Sequence, residues 1–312
     1  MGFIMGSWPS DYELMEKYKL TPALLESLGL WHNGRVEREM VMERFIDPAF
    51  LWEVPPKRRK KVTRGKHAGK IIHRYPYWYY SSFWGRDIKR EPKTFGSAKF
   101  LGSFIPQIPI MAIKRFTHVG DLVIDFTAGS GTTLDAAEFL HRRCIGLDLY
   151  PYRKDILPIE TEINEQAKLA ILHPPYADLA VVYGAKPGGY LREKPEERSF
   201  PKGKGLSVPP KEFLKRFKQL LEEKVIPNLA PDGHVVLVIG DGWKKNEIYP
   251  LTAKTLELFQ KDFKIVHFIT KYVGDWTRRL NRSIWEYRAL AHGFGVLEHE
   301  YVIIFKRRGN KK

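Results

Sequence analysis

Asp125-Phe-Thr-Ala-Gly-Ser-Gly-Thr-Thr133 decides the fold. It follows the apolar run Leu122-Val-Ile124 and precedes Leu134-Asp-Ala-Ala-Glu-Phe-Leu140 at helical spacing, so it reads as strand, glycine-rich turn and helix. A ligand can approach the backbone of such a turn closely, because glycine carries no Cβ and the helix N-terminus offers free amides. The next strand, Cys144-Ile-Gly-Leu-Asp148, ends in a carboxylate able to take both hydroxyls of a ribose. Beyond it, Leu169-Ala-Ile-Leu-His-Pro-Pro-Tyr176 is another apolar strand, ending in a rigid, aromatic-tipped loop.

From about residue 104 the chain alternates strand and helix. Strands are expected at 122–124, 144–147, 169–172, 235–239, 265–270 and 301–305, and helices at 134–142, 211–224 and 250–261. That order predicts an α/β domain over residues 101–312, a mostly parallel sheet with helices on both faces, carrying an inserted basic loop at 177–210. Residues 1–100 read as a smaller helical and irregular region. Leu14, Tyr18, Leu24, Leu25 and Leu28, then Val36, Met40, Val41 and Phe45, recur at helical spacing between 11 and 46. From Pro55 to Phe100 cations and aromatics interleave, from Lys57-Arg-Arg-Lys-Lys61 to Tyr75-Pro-Tyr-Trp-Tyr-Tyr80, Trp84, Arg86 and Arg90.

The charge balance points to a polyanion. Across 312 residues, 52 Lys and Arg against 36 Asp and Glu give a net charge of +16. A thermophile-type charged surface would raise Glu together with Lys, which the imbalance does not show. The lone Cys144 excludes an internal disulfide framework and a multi-cysteine zinc site, so a cytoplasmic location is expected. No apolar run reaches membrane-spanning length, and the N-terminus lacks the pattern of a signal peptide.

The glycine turn is not a triphosphate loop, because no Gly-Lys-Ser/Thr follows it. A dinucleotide also fits poorly, since Leu134 occupies the place of the third glycine. An adenosyl cofactor without phosphates fits better.

With these motifs in place, most of residues 100–307 resembles the S-adenosylmethionine-dependent DNA amino-methyltransferases of restriction-modification systems, which modify adenine N6 or cytosine N4. The resemblance implies a Rossmann-like methyltransferase sheet and S-adenosyl-L-methionine as cofactor. Phe104-Ile-Pro-Gln-Ile-Pro109 is similar to the family segment that contacts the methionine part, with Gln107 and Pro109 matching its pattern. Asp125, Thr127, Gly129, Gly131, Thr132 and Thr133 align with the glycine-turn motif, Phe126 standing for its proline and Thr127 for its aromatic residue. Asp148 takes the ribose position, and Asp155 falls where the family places a carboxylate near the adenine ring.

His173, Pro174, Pro175 and Tyr176 resemble the catalytic Asp/Asn/Ser-Pro-Pro-Tyr/Phe motif, with histidine as the departure. An exocyclic amine is a weak nucleophile because its lone pair delocalises into the ring, so two acceptors must hold its hydrogens. The side chain at 173 and the Pro174 carbonyl can serve, and only neutral His173 accepts, so activity is expected to fall as it protonates. Tyr176 would stack on the target base, which must leave the duplex to reach such a pocket. Cys144 does not lie where a cytosine-C5 enzyme needs its nucleophile, and reads as packed.

These readings give an adenine-N6 DNA methyltransferase, with cytosine N4, an RNA guanine-N2 enzyme, or a non-enzymatic nucleic-acid binder as alternatives. Double-stranded DNA is the expected partner, with a cognate restriction enzyme acting on the same site without direct contact, and the protein as monomer or homodimer. Target recognition is assigned to residues 1–100, assisted by loops 177–210 and 273–296. Candidate DNA contacts are Arg58, Arg59, Lys60, Arg64, Tyr77, Trp78, Arg86, Arg192, Lys202, Lys204, Arg278, Arg279 and Arg282.

Overall fold

In the computed structural model, the described residues are 21–23, 31–32, 35–36, 59–61, 71–73, 77–90, 92–97, 100, 102–178, 205–244, 247–273 and 282–309. Their centre is an eight-stranded sheet in the order β5-β13-β14-β10-β9-β6-β7-β8. In chain order these strands are β5 (Phe83–Trp84), β6 (Leu122–Asp125), β7 (Arg143–Asp148), β8 (Ile156–Pro158), β9 (Ala167–Leu172), β10 (Leu229–Ile239), β13 (Phe263–Tyr272) and β14 (His299–Arg307). Only β14 runs against the rest, antiparallel to both of its neighbours. Three short hairpins complete the strands: β1 (Trp31–His32) with β2 (Arg35–Val36), β3 (Arg59–Lys61) with β4 (Ile71–His73), and β11 (Gly242–Lys244) with β12 (Glu247–Tyr249).

Alternation along the strands makes three layers. Leu122, Ile124, Ala170, Leu172, Val235, Leu237, Ile303 and Phe305 point to one face, where they bury against α3 (Pro210–Leu220), the π turn Leu221–Val225 and α4 (Leu251–Glu257). Their neighbours Val123, Leu169, Ile171, Val236, Val238, Val302 and Ile304 point to the other, against α1 (Gln107–Phe116) and α2 (Thr132–Phe139). A strand buried on both sides must be apolar throughout, which is why β6, β9 and β10 read as continuous Val/Ile/Leu runs. At about 1.5–3 kcal/mol for each fully buried large aliphatic or aromatic side chain, these two layers hold the sheet.

The six strands and three helices expected from sequence are present, with shifted ends. Helix α2 starts at Thr132, ahead of the expected 134, because Gly131 adopts φ +85 and hands the chain directly into the helix. Helix α1 begins at Gln107, within the Phe104–Pro109 segment, where no helical pattern announced it. Pro106 precedes it and Pro109 occupies its first turn, where the missing amide has no partner to lose. In the N-terminal region, Val36 lies in a strand paired with Trp31, not in the expected helix. Asn33-Gly34 between the two strands is the two-residue hairpin signature that a helical count passes over. The remainder of the 11–46 helical pattern, apart from 21–23, lies outside the described residues.

The expected division at residue 100 cuts through the sheet's own surroundings. Trp84 of β5 is fully buried, and β5 pairs with β13 at the sheet edge. Trp78 stacks on Tyr79 at 4.3 Å and meets Trp84 edge-on, while Arg86 lies 4.7 Å from the centre of the Tyr272 ring. Arg90 donates to the Phe104 carbonyl (2.8 Å), to Ser103 (3.1 Å) and to the Phe95 carbonyl. This part of the cation-and-aromatic stretch therefore closes the sheet edge and ties down Phe95, Ser103 and Phe104.

Candidate active site

The strand order reverses between β6 and β9. From β6 the chain moves outward through β7 to β8, then returns to the other side of β6 for β9 and β10. A crevice opens at the carboxyl ends of strands on either side of such a switch point. The glycine turn leaves β6 there, and His173-Pro-Pro-Tyr176 leaves β9 beside it. Strands β6 and β9 are in register, Asp125 opposite Ile171, so the two turns start level.

A cavity of about 450 Å³ fills this crevice, a size typical of small-molecule sites. Thr127, Gly129, Thr132, Asp148, His173 and Pro175 line it among the expected residues. Gly131, Thr133 and Asp125 stand behind the wall. Gly129 and Gly131 both adopt positive φ. A Cβ on Gly129 would lie 2.8 Å from the Phe100 ring, and one on Gly131 would run into the Arg153 guanidinium. Only glycine allows this backbone to hug the cavity.

Asp148 is held with its carboxylate facing this turn. Its oxygens accept the Gly129 amide at 2.8 Å and the Tyr150 amide at 3.0 Å, leaving acceptor capacity for hydroxyls. Burial raises its pKa, and the backbone amides oppose that rise.

Asp125 does not line the cavity. It is fully buried and accepts the Thr133 hydroxyl (2.5 Å) and the Thr127 amide (2.9 Å), clamping both ends of the glycine turn. Burial pushes its carboxyl up to about 6, against the pull of these hydrogen bonds.

Thr127 joins the two motifs. The His173 amide donates to its hydroxyl at 2.6 Å, and that hydroxyl reaches Asp125 at 3.3 Å. A threonine where the resembled family has an aromatic residue therefore pins the catalytic-type loop to the glycine turn. Thr127→Val is expected to leave the His173 amide and Asp125 each short of a partner. It should lower unfolding free energy by about 1–3 kcal/mol in urea denaturation.

His173 sits deep in the cavity wall, its ring 5.3 Å from the Phe104 ring and its Nε2 at 3.3 Å from the Tyr176 hydroxyl. Burial lowers its pKa to about 4, Glu300 opposes the shift and Lys271 adds to it. The imidazole is therefore neutral at pH 7 and able to accept through one nitrogen. After Pro174 and Pro175 the chain turns sharply at Ala177, which adopts φ 54 and donates its amide to the Pro175 carbonyl at 2.8 Å. A left-handed alanine is uncommon and marks a loop held in place by its surroundings.

Several expected contacts lie elsewhere. Gln107 and Pro109 are buried in the first turn of α1, where Gln107 donates to the Lys89 carbonyl, and neither reaches the cavity. Of that segment, Phe104 does. Asp155 is turned to solvent in an ion pair with Arg153 (2.5 Å), which also holds Asp135 at 2.6 Å. Pro174 and Tyr176 are not in the cavity lining; the Tyr176 ring packs on Gly240 at the end of β10, where a Cβ would meet it at 2.9 Å. Sequence reading missed Phe100, Ser103, Tyr150, Leu206 and Arg216 in the wall. Leu206 belongs to the basic insertion, whose last described turn returns to the cavity, with Gly205 accepting from Arg216 at 2.8 Å.

Among the DNA candidates, Trp78 and Arg86 pack as described above. Arg59 and Lys60 lie in β3, Tyr77 opens a 3-10 turn and Arg282 begins α5 (Arg282–His292), with their side chains outside the described residues. Arg58, Arg64, Arg192, Lys202, Lys204, Arg278 and Arg279 lie outside the described residues. Cys144 sits in β7 with its thiol pKa raised by burial, consistent with a packed residue. Among the described residues no cluster of side chains could hold a metal ion, and no helix is long and apolar enough to cross a membrane.

Fold and cavity together place a crevice of small-molecule size at the switch point of a doubly wound sheet. A family described as DNA methylase matches residues 51–158, the stretch that carries the glycine turn and Asp148. The chain is 33% identical over 81 residues to the type II methyltransferase M.MjaII of Methanocaldococcus jannaschii, covering 26% of this chain and 15% of that protein. The chain thus spans about a seventh of that curated relative. Among solved structures, TrmN from Thermus thermophilus is 13% identical with a TM-score of 0.34, covering 66% of this chain and 50% of its own. A methyltransferase from Pyrococcus furiosus is 16% identical with a TM-score of 0.33, covering 71% and 89%. At this level of likeness the fold rests on the strand order above.

Proposed function

We propose that the chain is a site-specific DNA methyltransferase that moves a methyl group from S-adenosylmethionine to the exocyclic N6 of a flipped-out adenine, as the modification enzyme of a type II restriction-modification system. The observation that carries this reading is the hydrogen bond from the His173 amide to Thr127. It ties the start of the His-Pro-Pro-Tyr loop, whose His173 and Pro175 line the cavity, to the glycine turn, which supports a reading in which target amine and cofactor meet there. The DNA methylase match over 51–158 supports the substrate class, and the net charge of +16 suits a polyanion.

The cavity fits the cofactor by its donors: a buried carboxylate at Asp148, open backbone at Gly129, and apolar walls from Phe100, Phe126 and Leu149. When bound, S-adenosylmethionine supplies an electrophilic methyl on a sulfonium. Asp148 would hold the ribose hydroxyls, and the neutral ring of His173, in the cavity wall, would accept one of the two amine hydrogens. This keeps the nitrogen lone pair off the ring and aimed at the methyl carbon. His173 would take up the amine proton that methylation releases and pass it toward solvent. Double-stranded DNA is the partner, and a cognate nuclease would act on the same site without touching this chain.

Incubating the protein with labelled cofactor and separate DNA and RNA pools, followed by mass spectrometry of nucleosides, tests the reading. N6-methyladenine in DNA is expected. N4-methylcytosine would move the target base, and label confined to RNA guanine would overturn it. Asp148→Ala should weaken cofactor binding in calorimetry by about ten- to a hundredfold, two charge-assisted hydrogen bonds being lost. Asp155→Ala, removing a carboxylate paired to Arg153 outside the cavity, should change it less than about threefold.

A further inference from the structure

The geometry points to Glu300 as a positioning residue: held by Lys271 and acting through Tyr176, it fixes which nitrogen of His173 carries the proton, leaving the other as the acceptor of the target amine. The inference rests on the reading of His173 given above. It begins at a position of β14 that no motif marks.

Glu300 and Lys271 face each other across β13 and β14, directly opposite in register. The Lys271 ammonium meets Glu300 Oε1 at 2.7 Å, with both side chains close to nine-tenths buried. The second oxygen, Oε2, accepts the Tyr176 hydroxyl proton at 2.7 Å. A phenol has one proton. Having given it to Glu300, the Tyr176 oxygen can offer His173 Nε2 only a lone pair, across 3.3 Å. Nε2 must then carry the hydrogen, and Nδ1 keeps its lone pair. Nδ1 has no hydrogen-bond partner among the described residues, while the ring contributes to the cavity wall.

Direction is what the ion pair adds. Were Glu300 protonated or absent, the Tyr176 hydroxyl could turn and donate to Nε2, which would place the proton on Nδ1 and present a donor to the amine. Burial pushes the Glu300 carboxyl up, but the charge and hydrogen bond of Lys271 hold it below its ordinary value, so it stays an acceptor. Tyr176 therefore has a hydroxyl role in addition to any stacking role. Its ring is seated for this on Gly240, out of the cavity lining.

The test reads the tautomer first and the reaction second. In full-length protein carrying ¹⁵N-histidine, the ring signals of His173 are assigned by their loss in His173→Asn. Wild type is expected to show the Nε2–H form. Tyr176→Phe, which keeps the ring and removes the hydroxyl, should mix the two forms and lower kcat about a hundredfold, with cofactor Kd within twofold. Glu300→Gln leaves one acceptor oxygen for two donors, Lys271 and Tyr176, and should weaken the tautomer preference. Because removing Glu300 alone would strand a buried lysine, the paired variant Glu300→Met with Lys271→Met keeps the volume and removes both charges. It should reproduce the Tyr176→Phe phenotype, and adding Tyr176→Phe to it should cost nothing more, since both break one chain.

An Nδ1–H form in wild type, or a tautomer and kcat unmoved in both Tyr176→Phe and the paired variant, overturns the inference. If the tautomer responds as stated but wild type methylates no DNA amino group, the positioning chain stands and the reading of the reaction falls.

Discussion

His173→Ala is expected to lower methyl transfer by about a thousandfold while leaving cofactor affinity within twofold. The loss follows from the missing acceptor: without it one amine hydrogen has no partner and the nitrogen lone pair relaxes into the base, forfeiting what a positioned acid-base group typically contributes. Cofactor affinity is spared because the glycine turn and Asp148 are held by Asp125, Thr133 and backbone amides, none of which uses the imidazole. His173→Asn, with an amide oxygen near the place of the ring acceptor, should recover part of the rate, about tenfold over alanine. Single-turnover rates on one duplex, with calorimetry of cofactor binding in parallel, check both halves. Alanine retaining wild-type turnover would remove His173 from the chemistry altogether.

The same residue sets the acid limit of the reaction. Only neutral imidazole accepts, and burial lowers the His173 pKa from its ordinary 6.5 to about 4. The single-turnover rate should therefore stay level from pH 7 down to about 5 and fall toward pH 4. A solvent-exposed histidine in the same role would lose most of its activity already at pH 5.5.

How much of this was readable from sequence follows from where the information lies. Apolar runs and glycine spacing announce β6, β7, β9 and the turns at their ends, because strands buried on both faces and a positive-φ turn each admit few residue types. Helix α1 was hidden, since prolines at 106 and 109 read as loop although a helix's first turn tolerates them. Asp125 looked like a cofactor ligand and is instead the clamp behind the turn, because a carboxylate beside two threonines gives no hint of which way it points. Asp155 aligned with the resembled pattern, yet Arg153, two residues away, captures it on the surface. Glu300 and Lys271 could not be paired from sequence: 29 positions separate them, and only the antiparallel register of the last two strands brings them opposite. The site's first layer is thus local in sequence, and its support is carried by long-range pairing.

Two of those buried groups should cancel in the stability of the whole protein, and separating them is the second large effect. His173 titrates at about 4 when folded against 6.5 when unfolded, so the native state binds the proton less well. Its stabilising contribution is complete above pH 6.5 and is lost as pH falls toward 4, amounting to about 3 kcal/mol. Asp125 works in the opposite sense. Its carboxyl is pushed up to about 6 from 3.8, so its favourable contribution is complete below pH 3.8 and is lost as pH rises through 6, again by about 3 kcal/mol. Between pH 4 and 6 the unfolded chain gives up no proton from His173 and the native state gives up none from Asp125, and the two slopes oppose. Wild type should show little net pH dependence from this pair. Asp125→Asn leaves the histidine alone, so relative to wild type its stability should climb by about 3 kcal/mol between pH 4 and 6.5. His173→Asn leaves the aspartate alone, and relative to wild type its stability should decline by a similar amount over the same range. Other titrating groups are common to all three proteins and drop out of the differences. Urea denaturation at half-unit pH intervals gives the two difference curves, which should have opposite signs. Curves of the same sign, or two flat ones, would mean that these groups do not titrate in the folded protein as their burial dictates.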